Sequence, residues 1–157
     1  MTARTLVRVL ASVAASIAVV MAVSSPAAAV SYEKNVGTYT TASPNYGASG
    51  HWVQSVNNTS NHLAVFQAEG DRWWILDNVK DGKSVVVVWY NYRNGTLYRT
   101  GECKNNHGAP SWAVCNKNYY EDSTIYAKTC LYDSATGKYD PCNVGGFRFR
   151  VSDARIV

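Results

Sequence analysis

Carboxylates are scarce in this chain: 11 Asp and Glu among 157 residues, spread thinly along it. A glycoside hydrolase needs two of them held about 5 Å or 6.5–9.5 Å apart. No spacing here singles out such a pair, and Asp77, Asp81, Asp133 and Asp140 sit where turns need caps. Nucleophile and metal motifs are missing too. There is no G-x-S-x-G elbow, no H-E-x-x-H helix and no C-x2-C pair for zinc. No loop around Asp71 has calcium-binding spacing, and DSATGK (133–138) lacks the leading glycine of a phosphate loop. The histidines, His51, His62 and His107, are dispersed. No metal or cofactor is therefore expected. One enzymatic possibility survives, a ribonuclease-type acid/base set of Glu102, Arg99 and His107. Glu102 and Arg99 nevertheless fall on opposite faces of the strand that carries them.

Helical periodicity is absent as well. Beyond the first 29 residues no window repeats its apolar residues at helical spacing, and 117–122 is too short to matter.

What is present begins with a leader. Arg4 and Arg8 precede an apolar run over 9–23, broken by Ser12 and Ser16, and Ser24-Ser25-Pro26 leads into Ala27-Ala28-Ala29. Charge, grease and small residues in that order make a secretory signal peptide over 1–29. The rival reading, an uncleaved anchor, needs a span of about 20 apolar residues, longer than this run. No Arg-Arg pair marks a twin-arginine route, and the Ala/Val-rich composition points to a bacterial host. Cleavage after Ala29 leaves 128 residues, 30–157, which suits a single secreted domain. The leader removes two of the 15 basic residues and none of the acidic ones, so the net charge falls from +4 to +2. That charge gives no support to nucleic-acid or membrane binding, and a monomer without stable membrane insertion is expected.

All four cysteines lie in the second half, as two C-x11-C pairs. In an exported chain an even count reads as disulfides. Neighbour pairing, Cys103–Cys115 and Cys130–Cys142, is the reading the spacing favours over the other two connectivities.

Strand signals recur at short intervals: 34–41, 51–56, 62–67, 72–79, 84–93, 96–103, 111–115, 124–132, 139–142 and 147–151. Turn dipeptides such as Asp81-Gly82, Asn94-Gly95 and Thr136-Gly137 separate them. In GFRFRV, Phe147, Phe149 and Val151 alternate with Arg148 and Arg150; in 124–132, Ile125, Ala127 and Leu131 oppose Tyr126, Lys128 and Tyr132. The expected fold is all-β, a two-sheet antiparallel sandwich or partly open barrel of about seven to nine short strands.

The stretch VVVVWYNYRNGTLYRT (85–100) is apolar on both faces. Asn94-Gly95 is a strong hairpin signal and pairs Arg93 with Thr96. Carried back without a bulge, that ladder puts Val86, Val88, Tyr90, Tyr92, Leu97 and Cys103 on an inner face. Val85, Val87, Trp89, Asn91 and Tyr98 then share the other. Reading Asp81-Gly82 as a second two-residue turn sets Trp74 opposite Trp89. Two arrangements satisfy this pattern. Either both faces are covered, or Trp74, Trp89 and Tyr98, flanked by Asn91, form an exposed shelf.

The expected function is a non-enzymatic module recognising an extracellular glycan or protein partner through Trp74, Trp89, Tyr98 and Asn91. The first alternative is a small protease inhibitor presenting a disulfide-closed loop, 104–114 or 131–141, whose rigidity lowers the entropy cost of binding. A small hydrolase centred on His107 is the second.

Overall fold

Gly37 divides the first strand signal in two and sends its halves to different sheets. A Cβ at Gly37 would lie 2.9 Å from that of Ala113, so only glycine lets the chain cross so close to the neighbouring strand. The computed structural model describes residues 29–46, 51–55, 61–142 and 146–157; the signal peptide expected over 1–29 lies outside them except for Ala29. Among these residues there are eleven strands and two sheets. No described helix is long and apolar enough to cross a membrane.

The first sheet runs β1 (Tyr32–Val36), β7 (Thr96–Asn105), β6 (Lys83–Arg93), β9 (Thr124–Asp133). Both β10 (Lys138–Cys142) and β11 (Phe147–Arg150) pair with the far edge of β9. The second runs β2 (Thr38–Thr40), β8 (Ser111–Asn116), β5 (Arg72–Asp77), β4 (His62–Gln67), β3 (Trp52–Gln54). Every pairing is antiparallel except β1 with β7. The sheets face each other across an apolar core, giving the all-β sandwich. Val85, Val87, Trp89, Ile125, Ala127, Phe147 and Phe149 from one side meet Val53, Ala64, Phe66, Trp73 and Ile75 from the other. Phe66 packs on Phe149 at 4.8 Å and on Trp73 at 5.0 Å, an aromatic centre that outweighs its area through ring–ring geometry.

The two disulfides follow the neighbour pairing. Cys103 on β7 and Cys115 on β8 join the two sheets through the core, whereas Cys130 and Cys142 join adjacent strands of the first sheet. Gly137 takes a left-handed φ of 69° in the loop between β9 and β10, and a register shift within β10, between Tyr139 and Cys142, brings Cys142 opposite Cys130.

Three expectations are corrected. Asp81-Gly82 does not close a hairpin: β5 pairs with β4 and β8, β6 with β7 and β9, and residues 78–82 carry the chain from one sheet to the other. The ladder of β5 ends at Asp77, whose side chain accepts the Val79 N–H at 3.2 Å and turns the chain away early. The Asn94-Gly95 hairpin does form, with φ of 50° and 75°, but Tyr98 is an extra residue in β7. Asn91 therefore faces Arg99, Trp89 faces Gly101 and Val87 faces Cys103, one place on from the unbulged register. Last, the two faces of β6 are exchanged. Val85, Val87 and Trp89 look into the core, while Val86, Val88, Tyr90 and Tyr92 look outward.

Candidate functional site

The four residues expected to form a shelf fall in three places. Trp89 is fully buried, edge-on to Tyr119 at 5.2 Å, with the Lys117 ammonium 4.9 Å from its ring. Asn91 is also fully buried; its amide donates to Ser123 Oγ at 2.8 Å and to the Thr124 carbonyl at 3.2 Å, fixing the turn before β9. Tyr98 is exposed at the bulge, its ring 5.4 Å from Tyr120, which in turn lies under the Arg93 guanidinium. Trp74 stands on the outer face of the other sheet. A common side for Trp74 and Trp89 is thus overturned, because their strands belong to different sheets.

Glu102, Arg99 and His107 are not brought together either. Arg99 makes a two-pronged pair with Glu33 at 2.8 and 3.1 Å. His107 shares a 2.7 Å hydrogen bond with the Gly37 carbonyl. Glu102 points to the outer face of the first sheet, where it accepts the phenols of Tyr32 and Tyr139. Among the described residues no three His, Cys, Asp or Glu side chains converge as a metal site.

The outer face of the second sheet carries a row of aromatic rings. Strand alternation turns Trp52 and Gln54 outward on β3, Leu63, Val65 and Gln67 on β4, Arg72, Trp74 and Leu76 on β5, and Trp112 and Val114 on β8. Trp52 lies opposite Gln67, one strand and one diagonal step from Trp74, which brings the two indoles to 6.5 Å. The Trp74 Nε1–H donates to Gln67 Oε1 at 3.2 Å, which holds that indole in place. The segment 41–46 leaves β2 through a Thr40 side-chain turn, buries Pro44 and sets the Tyr46 ring 5.6 Å from Trp52. Tyr46 is 53% exposed, and Trp52 and Trp74 are half-buried. Gln54, Arg72 and Asn116, all exposed, supply hydrogen-bonding groups around the row. Flat rings amid such groups suit a sugar: its C–H face stacks while its hydroxyls are bonded.

Trp52 and Tyr46 were not foreseen as site residues. A signal for Trp74 does exist in RWWILD (72–77), where Trp73 and Ile75 face the core and Trp74 and Leu76 oppose them. Tyr46 joins the row through a loop, which no periodicity reports.

The chain matches no protein-family model, no curated protein and no solved structure.

Proposed function

We propose that the protein is a secreted, non-enzymatic binding module that recognises an extracellular glycan through the outer face of its second sheet. The observation that carries this reading is the continuous contact of Tyr46, Trp52 and Trp74 on a face turned to solvent. Two disulfides fit an oxidising compartment, and the leader at 1–29 accounts for export. The test is a tryptophan-fluorescence titration of the mature chain with soluble neutral oligosaccharides, cello- and chito-oligomers among them. A saturable shift lost in Trp74→Ala and Trp52→Ala supports the reading. Flat titrations with every oligomer, or shifts unchanged in both variants, remove it.

One observation favours a second reading, the protease inhibitor. The buried Asn105 amide donates to the Ile75 and Ser111 carbonyls at 3.1 and 3.0 Å, bracing the loop that Cys103–Cys115 closes. Asn106, His107 and Gly108 are exposed at its tip. A stoichiometric complex with an extracellular protease, abolished by substitution at the tip, would favour it over the glycan.

A further inference from the structure

The outer face of the first sheet, on the far side of the sandwich from the tryptophans, is built from different chemistry. Two hollows lie on it. One of about 500 Å3 is lined by Tyr32, Lys34, Val88, Tyr90 and Lys128 beside the Cys130–Cys142 bridge. The other, of about 650 Å3, opens between Tyr92, Tyr126, Arg148 and the C-terminal Ile156 and Val157. Tyr90 and Tyr126 face each other across β6 and β9 with their rings 6.2 Å apart. Since each lines one hollow, the two hollows adjoin. From Val88 to Tyr92 alone the strand covers about 14 Å, room for several units of a linear chain.

The charge on this face is one-sided. Among the described residues no carboxylate lies within ion-pair distance of Lys34, Lys128 or Arg148. Among the described residues Glu102 is the carboxylate side chain on this face; it is 3% exposed and already engaged by the phenols of Tyr32 and Tyr139, with Lys104 3.9 Å away. Residues 30–157 have a net charge of +2, so three uncompensated cations on one face exceed the whole surplus of the domain. Such a concentration of one sign selects an anionic partner.

The tyrosines decide which anion. The Lys128 ammonium lies 5.6 Å from the Tyr126 ring centre, and the Arg148 guanidinium lies 4.9 Å from that of Tyr92. Each of these cations takes one ring face on which a base of single-stranded nucleic acid would stack. With the phenols of Tyr32 and Tyr139 taken by Glu102, Tyr90, Tyr92 and Tyr126 add their hydroxyls to the charged donors. That set matches a polymer bearing carboxylates and hydroxyls together.

We propose that this face is a second binding site, for an acidic polysaccharide whose sugar carboxylates meet Lys34, Lys128 and Arg148 and whose hydroxyls meet the tyrosine phenols. The site is separate from the tryptophan row and does not depend on it. The test is calorimetry of the mature, disulfide-intact chain with polygalacturonate oligomers at low and high salt. Binding is expected at low salt and weakens as salt screens it. Lys34→Gln with Lys128→Gln weakens it about five- to tenfold, and Arg148→Gln, in the other hollow, acts in the same direction. Trp74→Ala leaves it unchanged, so failure here is distinguishable from failure of the neutral-glycan reading. The methyl-esterified polymer, the same backbone without its charges, binds far more weakly. Absence of polygalacturonate binding, equal affinity in the charge variants, or tighter binding of an oligothymidylate would each overturn the proposal.

Discussion

Gly101 stands directly opposite Trp89, and the indole occupies the space that a side chain there would need. A Cβ at 101 would press into the Glu33 carbonyl oxygen of the parallel strand β1 and lie 2.7 Å from the Trp89 ring. Both obstacles are rigid: one is backbone, the other a fully buried ring. Gly101→Ala is therefore expected to destabilise the domain by about 2–3 kcal/mol, the cost of overpacking a filled core. Gly82→Ala meets no atom within 4 Å and is strained only by its φ of 78°, so it should cost about 1 kcal/mol. Urea midpoints compare the two; equal losses would mean that close approach at Gly101 is not what matters.

The two disulfides close loops of the same length, each spanning a separation of 12. Chain entropy alone assigns them equal value, about 3 kcal/mol each. Their surroundings differ. Cys103 and Cys115 are 0% and 5% exposed within the core, whereas Cys142 is exposed. Replacing Cys103 and Cys115 by Ala should thus cost more than replacing Cys130 and Cys142, by the cavity left between the sheets. Urea denaturation of the two double variants decides, and the reverse order would refute the reading of Cys103–Cys115 as a core staple.

How far the sequence discloses this fold depends on whether the signal is local. Asn94-Gly95 needs only two residues able to take positive φ, and its hairpin was legible. The alternation of Phe147, Arg148, Phe149 and Arg150 is equally local, and so is the spacing of the cysteines. The bulge at Tyr98 has no such mark, and one extra residue there exchanges the faces of everything after it on β7. Nor does the strand of β6 say which side the second sheet covers, because it is apolar on both. Asn91, a polar residue on the core face, places its amide N–H2 against Ser123 from 32 positions away, so its burial was illegible. The site suffered from the same non-locality: the partner of Trp74 is Trp52 across β4, not Trp89 across a turn.

The five tryptophans divide into two environments. Trp73 and Trp89 are fully buried; Trp52, Trp74 and Trp112 are half-buried on the outer face. Acrylamide should quench the second group and spare the first. Trp89→Ala is expected to cost about 3–5 kcal/mol while leaving most of the quenchable signal. Trp74→Ala should remove part of that signal at a cost of about 1 kcal/mol. Complete protection of all tryptophans would contradict the solvent-facing row.

Acid dependence should centre on β1. The Arg99 guanidinium, with Lys117 behind it, holds the Glu33 carboxyl below its usual range. A depressed folded pKa gives stability that is complete above the unfolded value, about 4.3. It is lost as pH falls through the folded one. Burial raises Asp71 and Asp77, whose contributions run the other way: present below the ordinary Asp range and lost as pH rises through the folded values. The stability gap between wild type and Glu33→Gln should accordingly shrink as pH is lowered from neutrality to about pH 3. A gap that stays constant over that range would exclude the Glu33 pairing as its source.

Alkaline behaviour follows from the phenols around Glu102 and in the core. Tyr32 and Tyr139 are 43% and 41% exposed, yet their hydroxyl ends turn in against Glu102. Burial of those ends, and then the carboxylate, push Tyr139 up to about 12 and Tyr32 upward as well. Tyr119, buried beneath Trp89 and accepting the Trp73 N–H at 3.1 Å, is raised by burial. A raised folded pKa means stability that is fully present below the unfolded tyrosine value, about 10. It is lost as pH climbs through the folded one. Phenolate absorbance should therefore show Tyr32, Tyr119 and Tyr139 ionising late, together with loss of the fold. Tyr139→Phe should remove one phenol from this late ionisation. A single wave near the ordinary tyrosine value, completed while the near-ultraviolet circular dichroism stays native, would show that these three hydroxyls are not held as described.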